Sequence, residues 1–246
     1  MKKQLPTLLA GVFIFLALPL SAQTINDFTT PVPLPPGSTL VIGFLGGIEK
    51  WDGEVHRVRR LALDLRDKQI PGVYVETVEH HHRQRAIALI KRALDQDHDR
   101  RLDESERRSL RIILYGYSMG GAAVVDAARE LAKLGVPVAL TVQVDSVGLA
   151  DAVIPPNVAR AANLFQHEGK FIRGRSKIRA ADPQKTKILG NFLYTYNGKY
   201  VDLSDVPWYH MIVPTVHMKM ERDPAVWSRV ESLILNEIRQ VESAAK

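Results

Sequence analysis

The residues best suited to chemistry are a serine and two glycines that follow an apolar run. Residues 112–121 read IILYGYSMGG, so Gly116, Ser118 and Gly120 form a G-x-S-x-G pattern. The run is typical of a buried strand, and the AAVVDAARELAKL that follows has the apolar period of a helix. A tight strand-to-helix turn of this kind lifts a serine hydroxyl above the sheet, and its glycines let the crowded backbones approach. The pattern predicts that Ser118 is a nucleophile and that the Met119 N–H, at the helix N-terminus, stabilises a developing oxyanion.

The segments around this turn alternate between strand-like and helix-like patterns. The runs TLVIGFLGG, GVYVETV and PVALTVQVDSVG are apolar and rich in β-branched residues, as expected of strands buried on both faces. Helices are predicted over about 54–67, 84–94, 122–134 and 225–241, with a polar stretch up to about residue 207. Strands that alternate with helices in this way indicate an α/β fold with a mostly parallel sheet and helices on both faces.

With this turn and this alternation, the chain resembles the α/β-hydrolases from about Thr39 to its last helix. The resemblance implies a three-layer fold and a serine, an acid and a histidine in that chain order. It also implies an oxyanion donor on the loop after an earlier strand, and GFLGG at 43–47 makes Leu45 and Gly46 the candidates. The family's first strands are missing before this loop, so we expect a sheet of about six strands.

The acid of the proposed triad has three candidates. Asp145 ends the strand-like run ALTVQV, at the sheet edge where ligands bind in open parallel sheets. A carboxylate there would orient a histidine and stabilise the imidazolium that forms when Ser118 loses its proton. Glu168 stands where the family more usually places its acid, and Asp205 is a third alternative. We favour Asp145.

Two histidines follow residue 200 and could serve as the base. His217 lies shortly before the terminal helix, on a predicted loop where the resemblance places this residue. His210, within PWYH, has aromatic neighbours and is typical of a packed imidazole. The segments VQVDSV, IPPNVARAANLFQ and HMKMERDPAVW are also similar to those of uncharacterised secreted bacterial α/β-hydrolases, which favours Asp145 and His217.

A second pattern, at residues 95–106, has the spacing of an EF-hand calcium loop. DQDHDRRLDESE places carboxylates at loop positions 1, 3, 5, 9 and 12. The predicted oxygen ligands are Asp95, Asp97, Asp99, the carbonyl of Arg101, Asp103 and Glu106. Arg100 stands at position 6, where glycine normally allows a positive φ, so ordering the loop costs about 1 kcal/mol. We expect a structural Ca²⁺, because the loop precedes the strand that ends in Ser118; a solvated charged linker is the alternative.

The first 22 residues have the features of a signal peptide: two lysines, an apolar run from Leu8 to Leu20, and small residues before Gln23. The run is shorter than the roughly 18 residues that a membrane-spanning helix needs. We therefore expect export to the periplasm or the medium, without a stable membrane anchor. Residues 23–38 form a proline-rich leader, and residues 39–246 form one domain.

The amino-acid composition excludes several further classes of function. The 246 residues include no cysteine, which excludes disulfides, thiolate catalysis and iron–sulfur sites. The net charge of +6 is not gathered into blocks of like charge, so no nucleic-acid partner is expected. The sequence predicts an exported serine hydrolase that cleaves small-molecule or acyl esters through an acyl-enzyme. An amidase or peptidase, which uses the same residues, and a non-catalytic calcium-stabilised binding or scaffold protein are the alternatives.

Overall fold

The computed structural model describes residues 23–169, 172–204, 206 and 215–244. The predicted signal peptide at 1–22 and the alternative site residues Asp205 and His210 lie outside the described residues.

A parallel sheet of six strands forms the middle layer. The strands of the described residues are β1 (Thr39–Leu45), β2 (Val73–Glu79), β3 (Arg111–Tyr117), β4 (Val138–Val144), β5 (Val153–Ile154), β6 (Val158–Phe165), β7 (Arg179–Ala180) and β8 (Lys187–Leu193). The order in the main sheet is β2-β1-β3-β4-β6-β8, and every neighbouring pair is parallel. Strands β5 and β7 form a separate two-stranded sheet.

Helices cover both faces of this sheet. They are α1 (Arg57–Asp67), α2 (Arg83–Leu94), α3 (Glu104–Arg107), α4 (Met119–Lys133), α5 (Thr215–Arg222) and α6 (Pro224–Ala244). Because successive side chains of a strand point to opposite faces, Ile42 and Leu114 pack with α2 and α4, whereas Val41 and Ile113 pack with α1 and α6. The molecule therefore has the three-layer α/β-hydrolase-like fold that the sequence predicts.

The strand order reverses beside the predicted nucleophile. From β1 the chain moves to one side to form the edge strand β2, and it then returns to the other side of β1 to form β3. Segments that leave the carboxyl ends of β1 and β3 thus diverge, and such a reversal is where open α/β sheets bind ligands. The loop after β1 and the turn at Ser118 both lie at this reversal.

Some predicted elements differ from the observed ones. Strand β8 lies in the stretch that the sequence analysis takes as polar; most of its residues are half-buried, as befits an edge strand, so it lacks the apolar signal of the central strands. Helix α4 begins at Met119 and not near residue 122, because its glycines pack into the turn despite their low helix propensity. Helix α1 begins at Arg57, three residues later than predicted.

The leader packs on the body that it precedes. Phe28 and Leu34 belong to the core that contains α2. The buried carboxylate of Glu76, on edge strand β2, accepts hydrogen bonds from the backbone N–H groups of Thr29 and Thr30, both at 2.8 Å. Among the described residues, no helix combines the length and the apolarity needed to cross a membrane.

Candidate active site

The turn that carries Ser118 is strained and closely packed. Ser118 has φ 56° and ψ −124°, a combination that side-chain-bearing residues rarely adopt and that costs about 1–3 kcal/mol. A Cβ on Gly116 would lie 2.4 Å from the carbonyl oxygen of Gly120, and one on Gly120 would lie 2.0 Å from that of Phe44. Only glycine fits at either position. The result is a half-buried serine side chain held above the carboxyl end of β3.

Three side chains from distant parts of the chain converge at this turn. Nε2 of His217 lies 3.0 Å from Oγ of Ser118, and Nδ1 of His217 lies 2.6 Å from Oδ2 of Asp145. With its proton on Nδ1, the imidazole donates to Asp145 and its Nε2 accepts from the serine hydroxyl. This is the geometry in which a histidine can take the proton of an attacking hydroxyl.

Asp145 is fully buried where β4 ends. The amide of Gln166, which follows the neighbouring strand β6, donates to its Oδ2 at 3.1 Å. A Cβ on Gly174 would lie 2.0 Å from Oδ1, so the absence of a side chain there lets the chain cover the carboxylate. These contacts hold the acid in one orientation toward the imidazole.

His217 lies in helix α5, whereas the sequence analysis places it on a loop. The ring stacks on Tyr117, with centroids 4.7 Å apart and an angle of 23° between the planes. The Tyr117 hydroxyl also donates to the carbonyl of His217 at 3.0 Å. Burial raises the pKa of Tyr117 well above its ordinary value, so this hydroxyl stays protonated and remains a donor.

Glu168, the alternative acid, has a different environment. Its side chain is exposed, and both carboxylate oxygens accept the backbone N–H of Tyr196, at 2.9 and 3.0 Å. The contact with His217 belongs to Asp145, the candidate that the sequence analysis favours.

The backbone N–H groups of the three predicted oxyanion donors lie in different local structures. Met119 is the first residue of α4, so its N–H lies at a helix N-terminus next to Ser118. Leu45 is the last residue of β1 and pairs in register with Glu79 of β2. The Gly46 N–H donates to Oε2 of Glu49 at 3.0 Å, so in this conformation it is engaged within its own loop, and its role as an oxyanion donor stays a prediction. Met119 is the donor that the geometry favours.

Two supporting residues are missing from the sequence predictions. Gln166 and Tyr117 carry no motif, but each stands at the carboxyl end of a strand next to a predicted site residue. The rule that directs attention to Asp145 therefore applies to them as well. Only the strand order shows which of these ends are neighbours.

The predicted calcium loop brings three carboxylates together. One oxygen each from Asp95, Asp97 and Asp99 lies within 4.8 Å of the others. Arg100 adopts the positive φ, 65°, that loop position 6 requires, and its N–H donates to the carboxylate of Asp95 at 3.2 Å. Oxygen ligands so arranged fit a hard cation such as Ca²⁺.

The remaining predicted ligands are engaged in local hydrogen bonds. Asp103 caps α3 by accepting the N–H of Glu106 at 2.8 Å. The two oxygens of Glu106 accept the N–H groups of Gln96, at 2.7 Å, and of Asp103, at 3.0 Å. Each carboxylate oxygen has two lone pairs, so Glu106 keeps capacity for an ion. The last predicted ligand, the carbonyl of Arg101, comes one residue after Arg100 in the same loop.

No protein-family model matches the chain, and no curated protein sequence matches it either. Solved structures that it resembles include a cutinase-like protein from Cryptococcus sp., with 15% identity, a TM-score of 0.45, and coverage of 82% of this chain and 95% of that one. Another is one of two metagenome-derived lipolytic enzymes, with 13% identity, a TM-score of 0.40, and coverage of 67% and 88%. A third is an inhibited esterase B from Lactobacillus rhamnosis, with 13% identity, a TM-score of 0.35, and coverage of 84% and 80%. At this level of similarity, activity has to follow from the geometry of this chain's own residues.

Proposed function

We propose that this protein is a serine hydrolase that cleaves carboxylic esters. The observation that carries the proposal is the continuous contact from Ser118 through His217 to Asp145. A serine hydroxyl becomes a useful nucleophile when an adjacent base takes its proton and a buried acid orients that base. The strained turn beneath Ser118 supports the same conclusion, because strain of this kind is kept where function needs it.

In the proposed reaction, Oγ of Ser118 attacks the ester carbonyl carbon while its proton passes to Nε2 of His217. The carboxylate of Asp145 stabilises the resulting imidazolium, and the Met119 N–H stabilises the oxyanion. The tetrahedral intermediate collapses, the C–O bond to the alcohol breaks, and His217 returns the proton to the departing alcohol. Water, deprotonated by His217, then attacks the acyl group on Ser118, and the carboxylic acid leaves as the serine hydroxyl is restored.

Exposed apolar side chains beside the nucleophile support a substrate with an apolar acyl group. Met119 is 44% exposed directly after Ser118, and Ile48 is 77% exposed in the loop after β1. Leu149 is fully exposed two residues after Val147, whose N–H donates to the carbonyl of Ser118 at 3.1 Å. An apolar acyl chain would cover these side chains, and their burial would contribute about 25 cal/mol per Å².

The test is hydrolysis of chromogenic esters of graded acyl length by wild type and Ser118→Ala, with Ser232→Ala, at an exposed serine of α6, as the matched control. We expect turnover that rises from acetyl to medium acyl chains, loss of at least about 10³-fold in Ser118→Ala, and no change in Ser232→Ala. Turnover that survives Ser118→Ala would contradict the proposal. A wild type that cleaves matched anilides but not the esters would favour the amidase alternative, and a wild type inert to both would favour the binding or scaffold alternative.

Two further expectations belong to this proposal. Residues 1–22 would direct export and be removed, which supports activity in the periplasm or the medium. Residues 95–106 would hold a structural Ca²⁺, at a site where millimolar extracellular calcium makes weak binding sufficient.

A further inference from the structure

Three ionisable side chains are buried together near the loop after β1, outside the proposed triad. Glu49, His56 and Glu221 are 8%, 7% and 2% exposed. Nδ1 of His56 lies 3.5 Å from Oε1 of Glu49 and 3.6 Å from Oε1 of Glu221, so the imidazole stands between two carboxyl groups. Isolated carboxylates are costly to bury, and a buried group of this kind therefore calls for a role.

One end of the cluster closes the loop after β1. The backbone N–H of Glu49 donates to the carbonyl of Gly46 at 3.0 Å, and the Gly46 N–H donates back to Oε2 of Glu49, also at 3.0 Å. Gly46 in turn presses on the nucleophile turn, since a Cβ there would lie 2.9 Å from Cβ of Ser118 and 3.6 Å from the Met119 nitrogen. The carboxyl group of Glu49 therefore fixes the segment that forms one wall of the oxyanion site.

The other end of the cluster belongs to the helix that carries the base. Glu221 lies four residues after His217 in α5, hence one helical turn away. Its carbonyl accepts the indole N–H of Trp227 from α6, at 2.5 Å. A second contact joins α5 directly to the loop after β1: Arg222 of α5 donates through Nη1 to the carbonyl of Val55 at 2.8 Å.

The cluster has a neighbouring guanidinium and a carboxyl group whose pKa is raised, and both reduce its buried negative charge. Burial and the neighbouring Glu221 carboxylate raise the pKa of Glu49 well above its ordinary value. Nε of Arg222 lies 3.6 Å from Oε2 of Glu221. The raised pKa favours a protonated Glu49, and the guanidinium of Arg222 then faces the remaining carboxylate, that of Glu221.

We propose that Glu49, His56 and Glu221 form a clamp that fixes the position of the loop after β1 relative to helix α5. These are positioning residues: they act on the oxyanion site through Gly46 and on the base through α5. The inference rests on the proposed function, because it assigns the clamp to the chemical step of ester cleavage. A loosened clamp displaces groups that stabilise the transition state, so it affects kcat more than KM.

The test compares Glu49→Leu with Glu49→Gln, and uses Glu54→Leu, in the same loop but exposed, as the matched control. Glu49→Leu removes the acceptor of the Gly46 N–H, and we expect kcat to fall about 10²-fold with KM within about threefold. Glu49→Gln keeps an amide oxygen for that N–H and should restore kcat to within about threefold of wild type. Glu54→Leu should match wild type in both constants.

The inference is overturned if Glu49→Leu keeps wild-type kcat, or if Glu49→Gln loses as much as Glu49→Leu. If Glu49→Leu does not fold, Glu221→Leu, which removes both carboxylate oxygens, takes its place, and unchanged kcat there overturns the clamp. One equivalent of a transition metal in purified wild type that is lost in Glu221→Gln would also overturn it, by showing a metal centre.

A wild type that cleaves no ester defeats the proposed function, and the clamp is then measured by amide hydrogen exchange over residues 46–49. Faster amide exchange in Glu49→Leu than in wild type supports the clamp, whereas equal exchange contradicts it.

Discussion

In the proposed reaction, proton transfer from Ser118 depends on one tautomer of His217. Nδ1 must carry the proton and donate to Asp145, so that Nε2 presents a lone pair to the serine hydroxyl. The carboxylate enforces this arrangement because it only accepts hydrogen bonds. Gln166 donates to the same Oδ2 that faces His217 and so helps to hold the carboxylate in place. The proposed chemistry therefore depends on which atom of residue 145 faces the ring.

Asp145→Asn tests this dependence. An asparagine amide can donate to Nδ1, which moves the ring proton to Nε2 and leaves no base for the serine, so we expect kcat to fall about 10⁴-fold with little loss of stability. Glu168→Gln is the matched control, because Glu168 is exposed and its carboxylate accepts the Tyr196 N–H rather than contacting His217, and its kcat should stay within a few fold of wild type. A large loss in Glu168→Gln together with a small loss in Asp145→Asn would reverse the assignment of the acid.

Residue types and local spacing indicate Ser118, Asp145 and His217, but not the groups that support them. Ser118 is marked by its glycines, and Asp145 by its place at the end of an apolar strand. Glu49 and Glu221 are acidic residues in polar segments and look solvent-exposed in the sequence. Their burial follows from contacts between segments far apart in the chain, and no local pattern encodes such contacts.

At the scale of elements, the loop at residues 95–106 lies at the amino end of β3, whereas Ser118 follows its carboxyl end. The seven residues of β3 separate the two by about 20 Å. An ion in this loop would therefore stabilise the entry to the central strand without touching the reacting atoms. It would also offset the repulsion among Asp95, Asp97 and Asp99.

We expect Ca²⁺ to raise the melting temperature of the wild type and a chelator to lower it again. At a free concentration about 100 times the dissociation constant, the gain in unfolding free energy is about 2.7 kcal/mol. Asp97→Asn should abolish the shift, while Glu104→Gln, whose side chain is 80% exposed, should keep it. Ester turnover well below the melting temperature should be insensitive to the chelator. No shift in wild type, or an equal shift in Asp97→Asn, would contradict the calcium site.

The elements are predicted well where apolar periodicity is strong and poorly where tertiary contacts decide. Strands β1, β3 and β4 are continuous apolar runs, and their existence follows from the sequence. Strand β8 contains Gly190 and Asn191 and is an edge strand, so it has no such signal. The helical conformation of His217 in α5 is likewise not apparent from the polar sequence around it.

At the scale of the molecule, the proposed site exists because the strand order reverses next to β3. Ser118 and His217 are 99 residues apart, and Asp145 is 72 residues from His217, yet all three meet at the carboxyl edge of one sheet. The chain order of serine, acid and histidine follows from the sequence. The order β2-β1-β3-β4-β6-β8, which makes Gly46 a neighbour of Ser118, does not, because local patterns of residue types do not show which strands pair.

The central claim is that Ser118 is a nucleophile activated by His217. The most direct measurement is mass spectrometry of the intact protein and its peptides after reaction with a fluorophosphonate, which phosphonylates an activated serine and releases fluoride. We predict a single adduct on the peptide that contains Ser118, at a rate that falls about 10³-fold or more in His217→Gln. The absence of an adduct on Ser118 in folded wild type, or equal labelling of wild type and His217→Gln, would contradict the account.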